Sequence, residues 1–221
     1  MTPKLIVMLT HNDKTVANAA EIFEQCKNAP AEFWGFKEVG IPLDEMKDLC
    51  KAMKEAGKTT FLEVVAYTEE ECLAGAKMAV ECGFDILMGT LFFDSINEYS
   101  KKNNLKYMPF VGKIEGRPSV LSGTIQEMID EANNLIEKGV YGVDLLGYRY
   151  TGDAVTLNKE FTKSVKGLVC LAGSISSYQR LDEIYEAQSW TYTIGGAFFE
   201  NKFDGTFAEQ IEKVVDYMNS K

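Results

Sequence analysis

Short apolar runs rich in valine, isoleucine and phenylalanine alternate along the chain with longer stretches whose apolar residues recur every three to four positions. The first pattern predicts strands buried on both faces, the second amphipathic helices. KLIVMLT (4–10) is a strand and TVANAAEIFEQCKNA (15–29) a helix. EFWGFKEV (32–39) precedes LDEMKDLCKAMKEAG (43–57), a helix closed by Gly57. TTFLEVVAY (59–67) precedes TEEECLAGAKMAVECG (68–83), where Thr68 and Glu71 match a capping box. FDILMGT (84–90) pairs with DSINEYSKKNN (94–104), and KYMPFVGKI (106–114), after a longer loop, with TIQEMIDEANNLIEKG (124–139). YGVDLLGYRY (141–150) is followed by a weaker helical piece around 156–165. GLVCLAGSI (167–175) leads into SSYQRLDEIYEAQ (176–188), and WTYTIGGAFF (190–199) into TFAEQIEKVVDYMNS (206–220).

Strictly alternating strand–helix units imply a parallel sheet with right-handed crossovers. Eight of them, with no linker between, predict an α/β fold of one domain over residues 1–221: a closed (β/α)8 TIM barrel of eight parallel strands. The rival, an open doubly wound sheet, would carry G-x-G-x-x-G after its first strand, and LTHND stands there instead.

Composition narrows the function. Hydrophobic residues make up 46% and charged residues 25%, as in ordinary globular chains, and no apolar run is long enough for a membrane span. The first residues, MTPKLIVMLTHND, read as a strand and not as a signal peptide. The formal charge of −10, with no Lys/Arg cluster, argues against nucleic acid as a partner. Five scattered cysteines without C-x-x-C spacing suit a cytoplasmic protein with reduced thiols. With a single histidine no zinc site is expected, and no motif asks for a cofactor. Apolar helix faces leave room for a homodimer.

Catalytic groups of such a barrel lie at the C-terminal ends of its strands. Ionisable residues inside parallel strands are informative, because an isolated buried charge is costly. Lys37, Glu63, Lys113 and Asp144 fall in strands two, three, five and six. They form either a ligand pocket or an interior ion-pair network. His11, at the end of strand one with Asp13 behind it, is a candidate general acid or base; the alternative makes Asn12 and Asp13 the cap of the first helix. Arg149, in DLLGYRYTGD, can clasp a carboxylate or phosphate of the substrate. The loop EGRPSVLSG (115–123) is either a lid over the mouth or a plain connection.

Strands seven and eight, neighbours in a closed barrel, both end in small residues: Ala172-Gly173-Ser174 and Gly195-Gly196-Ala197. Backbone N–H groups at such turns carry partial positive charge, and glycines let an anion come close. Gly173, Ser174, Gly195 and Gly196 therefore form a candidate phosphate cradle that needs no Lys or Arg, at the place where barrels of this kind commonly bind phosphate.

AGSISSYQRLDEI followed by YTIGGAFFENKF is similar to the end of the ribulose-phosphate-binding barrel superfamily, which includes isomerases of histidine and tryptophan biosynthesis, pentose-phosphate epimerase and sugar-phosphate decarboxylases and aldolases. The matching positions are Gly173, Ser174, Gly195, Gly196 and Ala197. The resemblance implies a phosphorylated small-molecule substrate and chemistry at the barrel mouth. The paired aspartates of the histidine-pathway type, at the ends of strands one and five, are not reproduced; His11 with Asp13 and Lys113 stand there. The Asp-x-Lys-x-x-Asp pattern of the decarboxylase branch is absent from TFLEVVAY. The chain resembles a divergent member.

The leading expectation is an isomerase or epimerase of a phosphorylated sugar or sugar-like carbonyl compound. Glu63 or Asp144 would move the proton, with Lys37 or Lys113 steadying the enediolate oxygen. The alternatives are an aldolase or lyase with a Schiff-base lysine, and a barrel that binds a phosphometabolite without turnover.

Overall fold

The computed structural model describes residues 2–221. The strands are β1 (Lys4–Met8), β2 (Phe33–Lys37), β3 (Thr59–Glu63), β4 (Ile86–Met88), β5 (Lys106–Met108), β6 (Gly142–Leu145), β7 (Leu168–Leu171) and β8 (Thr191–Ile194). All pair in parallel, in the order β6-β7-β8-β1-β2-β3-β4-β5. The seam between β5 and β6 is held by single bonds. The amide of Tyr141 donates to Tyr107 O (2.9 Å), the amide of Asp144 donates to Pro109 O (2.9 Å), and Phe110 bridges to Asp144. The result is a nearly closed (β/α)8 barrel, as the alternating pattern predicts.

The outer ring comprises α1 (Ala19–Cys26), α2 (Leu43–Glu55), α3 (Glu69–Cys82), α4 (Asp94–Lys102), α5 (Ile125–Glu137), α6 (Ala154–Ser164), α7 (Tyr178–Ala187), the single turn α8 (Gly196–Phe199) and α9 (Phe207–Asn219). Side chains cap the starts of α3, α5, α6, α7 and α9. Thr124 with Glu127 and Thr206 with Glu209 form full capping boxes, and Asp153 caps the weakly patterned α6. Thr68 accepts from the Glu71 amide without the reciprocal half of the box. None of the helices among the described residues is long and apolar enough to cross a membrane.

Alternation along each strand separates two cores. Leu5, Val7, Trp34, Phe36 and Leu62 pack outward against the helices. Ile6, Met8, Phe61, Ile86, Met88, Met108 and Cys170 fill the barrel. Phe33, Tyr141 and Trp190 close its N-terminal end, with Trp190 centred 5.5 Å from Phe33 and 5.7 Å from Tyr141. With that end plugged by rings, the cavity of the barrel lies at its C-terminal end.

Three segments depart from the expected elements, each at that C-terminal end. The first helix begins at Ala19, not at residue 15, because Thr10–His11 and Lys14–Thr15 form a hairpin. Asn12 and Asp13 make its two-residue turn with φ of 49° and 64°, so they do not cap the helix. Strand five ends at Met108, and Lys113 belongs instead to a second hairpin, Lys113–Glu115 with Val120–Ser122. The eighth strand stops at Ile194 and turns at once into α8.

Candidate active site

Side chains facing inward on the last turns of the strands converge below the mouth. Lys37 and Glu63 are the final residues of β2 and β3 and partners in register, so they share a face. Phe61, two residues before Glu63, lies in the inner core, which makes that shared face the interior one. They line a cavity of about 590 Å³ together with Met8, Phe110, His11 and Asp13, the ends of β6 to β8, and the second hairpin.

Lys37 is only 6% exposed. Its ammonium pairs with Asp13, brought over it by the tight turn at Asn12–Asp13. Thr15, on the return arm of that hairpin, grips the Lys37 backbone: its hydroxyl donates to Lys37 O (2.8 Å) and accepts from Lys37 N (2.9 Å). Burial by itself lowers the pKa of this amine. The negative charges of Glu63, Asp13 and Glu38, with the Asp13 hydrogen bond, outweigh burial and raise it above the ordinary lysine value. Lys37 is held as an ammonium ion.

Asp144 faces the barrel interior in register with Cys170 of the inner core, yet lies outside the cavity lining. It is fully buried, and neither carboxyl oxygen has a hydrogen-bond partner of sound geometry. Burial first, then repulsion from Glu63, pushes its pKa well above the usual carboxylate range. The Cys170 thiol and Lys37 oppose that rise only in part. Asp144 is therefore a neutral acid under the floor of the cavity.

The two small-residue turns meet on the opposite side of the mouth from Glu63. Gly173 adopts φ +92° and Ser174 φ +54°, both in the left-handed region. Among the described residues, no intramolecular acceptor is found for the N–H groups of Gly173, Ser174, Ile175, Ser176, Gly195 or Gly196. All six residues line the cavity. The two glycines of strand eight differ in their reasons. A Cβ at Gly195 would sit 2.8 Å from Thr10 O and 3.2 Å from Met8, so close packing of β8 on the end of β1 requires glycine there. A Cβ at Gly196 would meet nothing nearer than His11 Nδ1 at 3.6 Å. The chain's own packing does not demand that glycine.

His11 stands on the wall beside Gly196, its ring 5.4 Å from Phe199. Arg149, in the 3-10 turn Gly147–Arg149 after β6, lies against Gly173; a Cβ on that glycine would come within 2.8 Å of Arg149 Cγ. Its Nη1 also donates to Ser119 O (3.5 Å). Lys113 is exposed on the outer arm of its hairpin and does not line the cavity. The structure thus brings Lys37, Glu63, His11, Arg149, Gly173, Ser174, Gly195 and Gly196 into one cavity, with Asp144 beneath it and Lys113 outside.

Segment 115–123 is an anchored wall. Tyr67 Oη donates to Gly116 O (2.9 Å) and shares a hydrogen bond with Ser119 Oγ (2.7 Å). Tyr150 Oη donates to Gly123 O (2.8 Å), and the Thr151 amide donates to Leu121 O (3.0 Å). The hairpin carries Arg117, Pro118 and Ser119 into the lining, positions not singled out as functional by their sequence.

No protein-family model matches the sequence, and a comparison with curated proteins finds no match. Solved structures do match over nearly the whole chain. Orotidine 5'-phosphate decarboxylase from Pyrococcus horikoshii is similar at 13% identity, with 97% of this chain and 99% of that chain covered and a TM-score of 0.69. N-acetylmannosamine-6-phosphate 2-epimerase from Clostridium perfringens matches at 12% identity, 96% and 92% coverage and a TM-score of 0.66. N-(5'-phosphoribosyl)anthranilate isomerase from Pyrococcus furiosus matches at 11% identity, 99% and 100% coverage and a TM-score of 0.68. These structures share the (β/α)8 barrel fold of this chain.

Proposed function

We propose that the chain is an enzyme that moves a proton next to the carbonyl of a phosphorylated sugar or sugar-like compound. The observation that carries this reading is the set of amides at 173–176 and 195–196, which lack an acceptor and line the same cavity as the Lys37 ammonium and the Glu63 carboxylate. Oriented backbone donors suit a phosphate in a protein whose formal charge is −10, because they act locally and add no repulsion of their own. Arg149, beside Gly173, reinforces the site from the β6 side.

With the phosphate held there, the body of the ligand extends over Glu63 and Lys37. Glu63 takes the proton from the carbon next to the carbonyl. The C–H electron pair moves into the new carbon–carbon double bond, and the carbonyl oxygen becomes an oxyanion. The Lys37 ammonium stabilises that oxygen, and Asp13 holds Lys37 in place. His11, on the wall next to the cradle, is placed to return a proton from another side. A Schiff-base mechanism needs a neutral amine, and the charges around Lys37 favour the protonated form. The lyase alternative is weaker for that reason. Asp144, sealed under the floor, does not touch the ligand in this reading.

The two glycines of strand eight give the test. Gly195→Ala forces a methyl group against Thr10 O and is expected to cost about 1–3 kcal/mol of stability, as overpacking does. Gly196→Ala has room, so its stability should change by less than about 1 kcal/mol. Its methyl group enters the cradle, and inorganic phosphate should bind at least about tenfold more weakly, the scale of one charge-assisted hydrogen bond. Thermal melts with and without phosphate read both quantities. A Gly196→Ala protein that binds phosphate as well as the parent removes the support for the cradle.

A further inference from the structure

Resting on the phosphate reading above, we propose that the substrate carries a carboxylate at the end opposite its phosphate and that Arg117 receives it. The chain has only three arginines, Arg117, Arg149 and Arg180, against twenty lysines, and two of the three line the one cavity that holds Lys37 and Glu63. Every ion pair among the described residues uses a lysine; neither Arg117 nor Arg149 meets a carboxylate, although the chain has 33 acidic residues. Two guanidinium forks have been placed on a ligand cavity and left without an internal anion. Arginine is the side chain whose planar fork fits carboxylate and phosphate.

The two occupy different ends. Arg149 lies against Gly173 in the loop after β7, within the cradle. Arg117 reaches from the second hairpin to the end of β3, where its Nη2 donates to Val65 O (3.1 Å) and its guanidinium lies 6.0 Å from the Tyr67 ring centroid. In the strand order β3 and β7 are four places apart, which in an eight-stranded barrel is the full diameter. One bond to Val65 fixes the guanidinium and leaves most of its five donors free. A cavity of about 590 Å³ spans the distance, far larger than a phosphate alone requires. The lining balances Lys37, Arg117 and Arg149 against Asp13, Glu63 and Glu200. A carboxylate near Glu63 is tolerated only where a cation offsets it, and on the β3 side beyond Lys37 that cation is Arg117. The geometry therefore fits a linear phosphorylated carbonyl acid, with its reacting carbon between the two anionic ends.

The probes are 6-phosphogluconate and glucitol 6-phosphate, which share phosphate, length and hydroxyls and differ only in a carboxylate against a hydroxymethyl group. The parent protein is expected to bind the acid at least about tenfold more tightly than the alcohol, the scale of a charge-assisted pair. In Arg117→Met that preference should fall to within about twofold, with affinity for glucitol 6-phosphate and inorganic phosphate unchanged. Arg117→Lys keeps the charge without the fork and should retain part of it. Ligand-free melting temperatures show whether each variant is folded. Equal affinity of the parent for acid and alcohol overturns this proposal and leaves the phosphate reading intact. A full preference surviving in Arg117→Met overturns the assignment to Arg117. Failure of both sugar compounds and of inorganic phosphate to bind overturns the phosphate reading, and this proposal with it.

Discussion

Glu63→Gln is expected to slow deuterium uptake from solvent, at the carbon next to the carbonyl of a phosphorylated ketose, by about 10²- to 10⁴-fold, the usual worth of a positioned base. Inorganic phosphate should bind to this variant as it does to the parent, because Glu63 sits across the barrel from the glycine turns. Lys37→Met should lose a comparable factor for a different reason: the base remains, and the oxyanion loses its ammonium. Mass spectrometry of the recovered ketose measures both. Borohydride treatment in the presence of the ketose separates the rival chemistry. The Lys37 amine, surrounded by the charges of Glu63, Asp13 and Glu38, should stay protonated and yield no reduced adduct. An adduct on Lys37 would establish the Schiff-base lyase in place of proton transfer, and exchange that survives both substitutions would remove these residues from the mechanism.

Asp144→Asn is expected to stabilise the protein, by an amount that grows with pH. The folded state holds Asp144 in its protonated form, because burial and Glu63 raise its pKa. The unfolded chain ionises it at the ordinary value of about 3.9. Between those two values the native state binds the extra proton. Native stability therefore falls as pH rises through that window and levels off above the folded pKa. The loss runs at up to about 1.4 kcal/mol per pH unit inside the window. Asparagine has nearly the same shape and no proton to lose, so its advantage should be absent in strong acid and increase toward alkaline pH. Each kcal/mol is worth about 2–4 °C in a chain of this size. Melting curves of both proteins across the pH range supply the comparison. A difference that does not change with pH would mean that Asp144 titrates alike in the folded and unfolded chain, and a parent that gains stability relative to the variant as pH rises would mean that the folded state holds it ionised.

The eightfold plan was legible because each parallel strand is buried on both faces and each helix on one, and the two periods differ. Gly173, Ser174, Gly195 and Gly196 were legible for a similar reason: small residues where a strand hands over to a helix stand out against apolar runs. What the sequence hid lies where β-branched runs cross a turn. KYMPFVGKI looks like one strand. Pro109 has no N–H for the ladder, and Gly112 at φ +83° redirects the chain, so Lys113 emerges on an exposed hairpin. At THNDKT the polar residues looked like a helix start. Two consecutive residues that tolerate the left-handed region, Asn12 and Asp13, instead close a hairpin that delivers Asp13 to Lys37. Arg117 was visible only as a loop residue. The scarcity of arginine in the chain was the available signal, and it gained meaning once two of the three were found on one cavity.

Peptide N–H groups at the ends of β7 and β8 that hold a phosphate should report it in a proton–nitrogen correlation spectrum recorded during titration with inorganic phosphate. The amide signals of Gly173, Ser174, Gly195 and Gly196 should move together and saturate with one binding constant, while amides on the plugged N-terminal face stay still. If those four remain fixed while phosphate shifts signals near surface lysines instead, the turns after β7 and β8 do not bind phosphate.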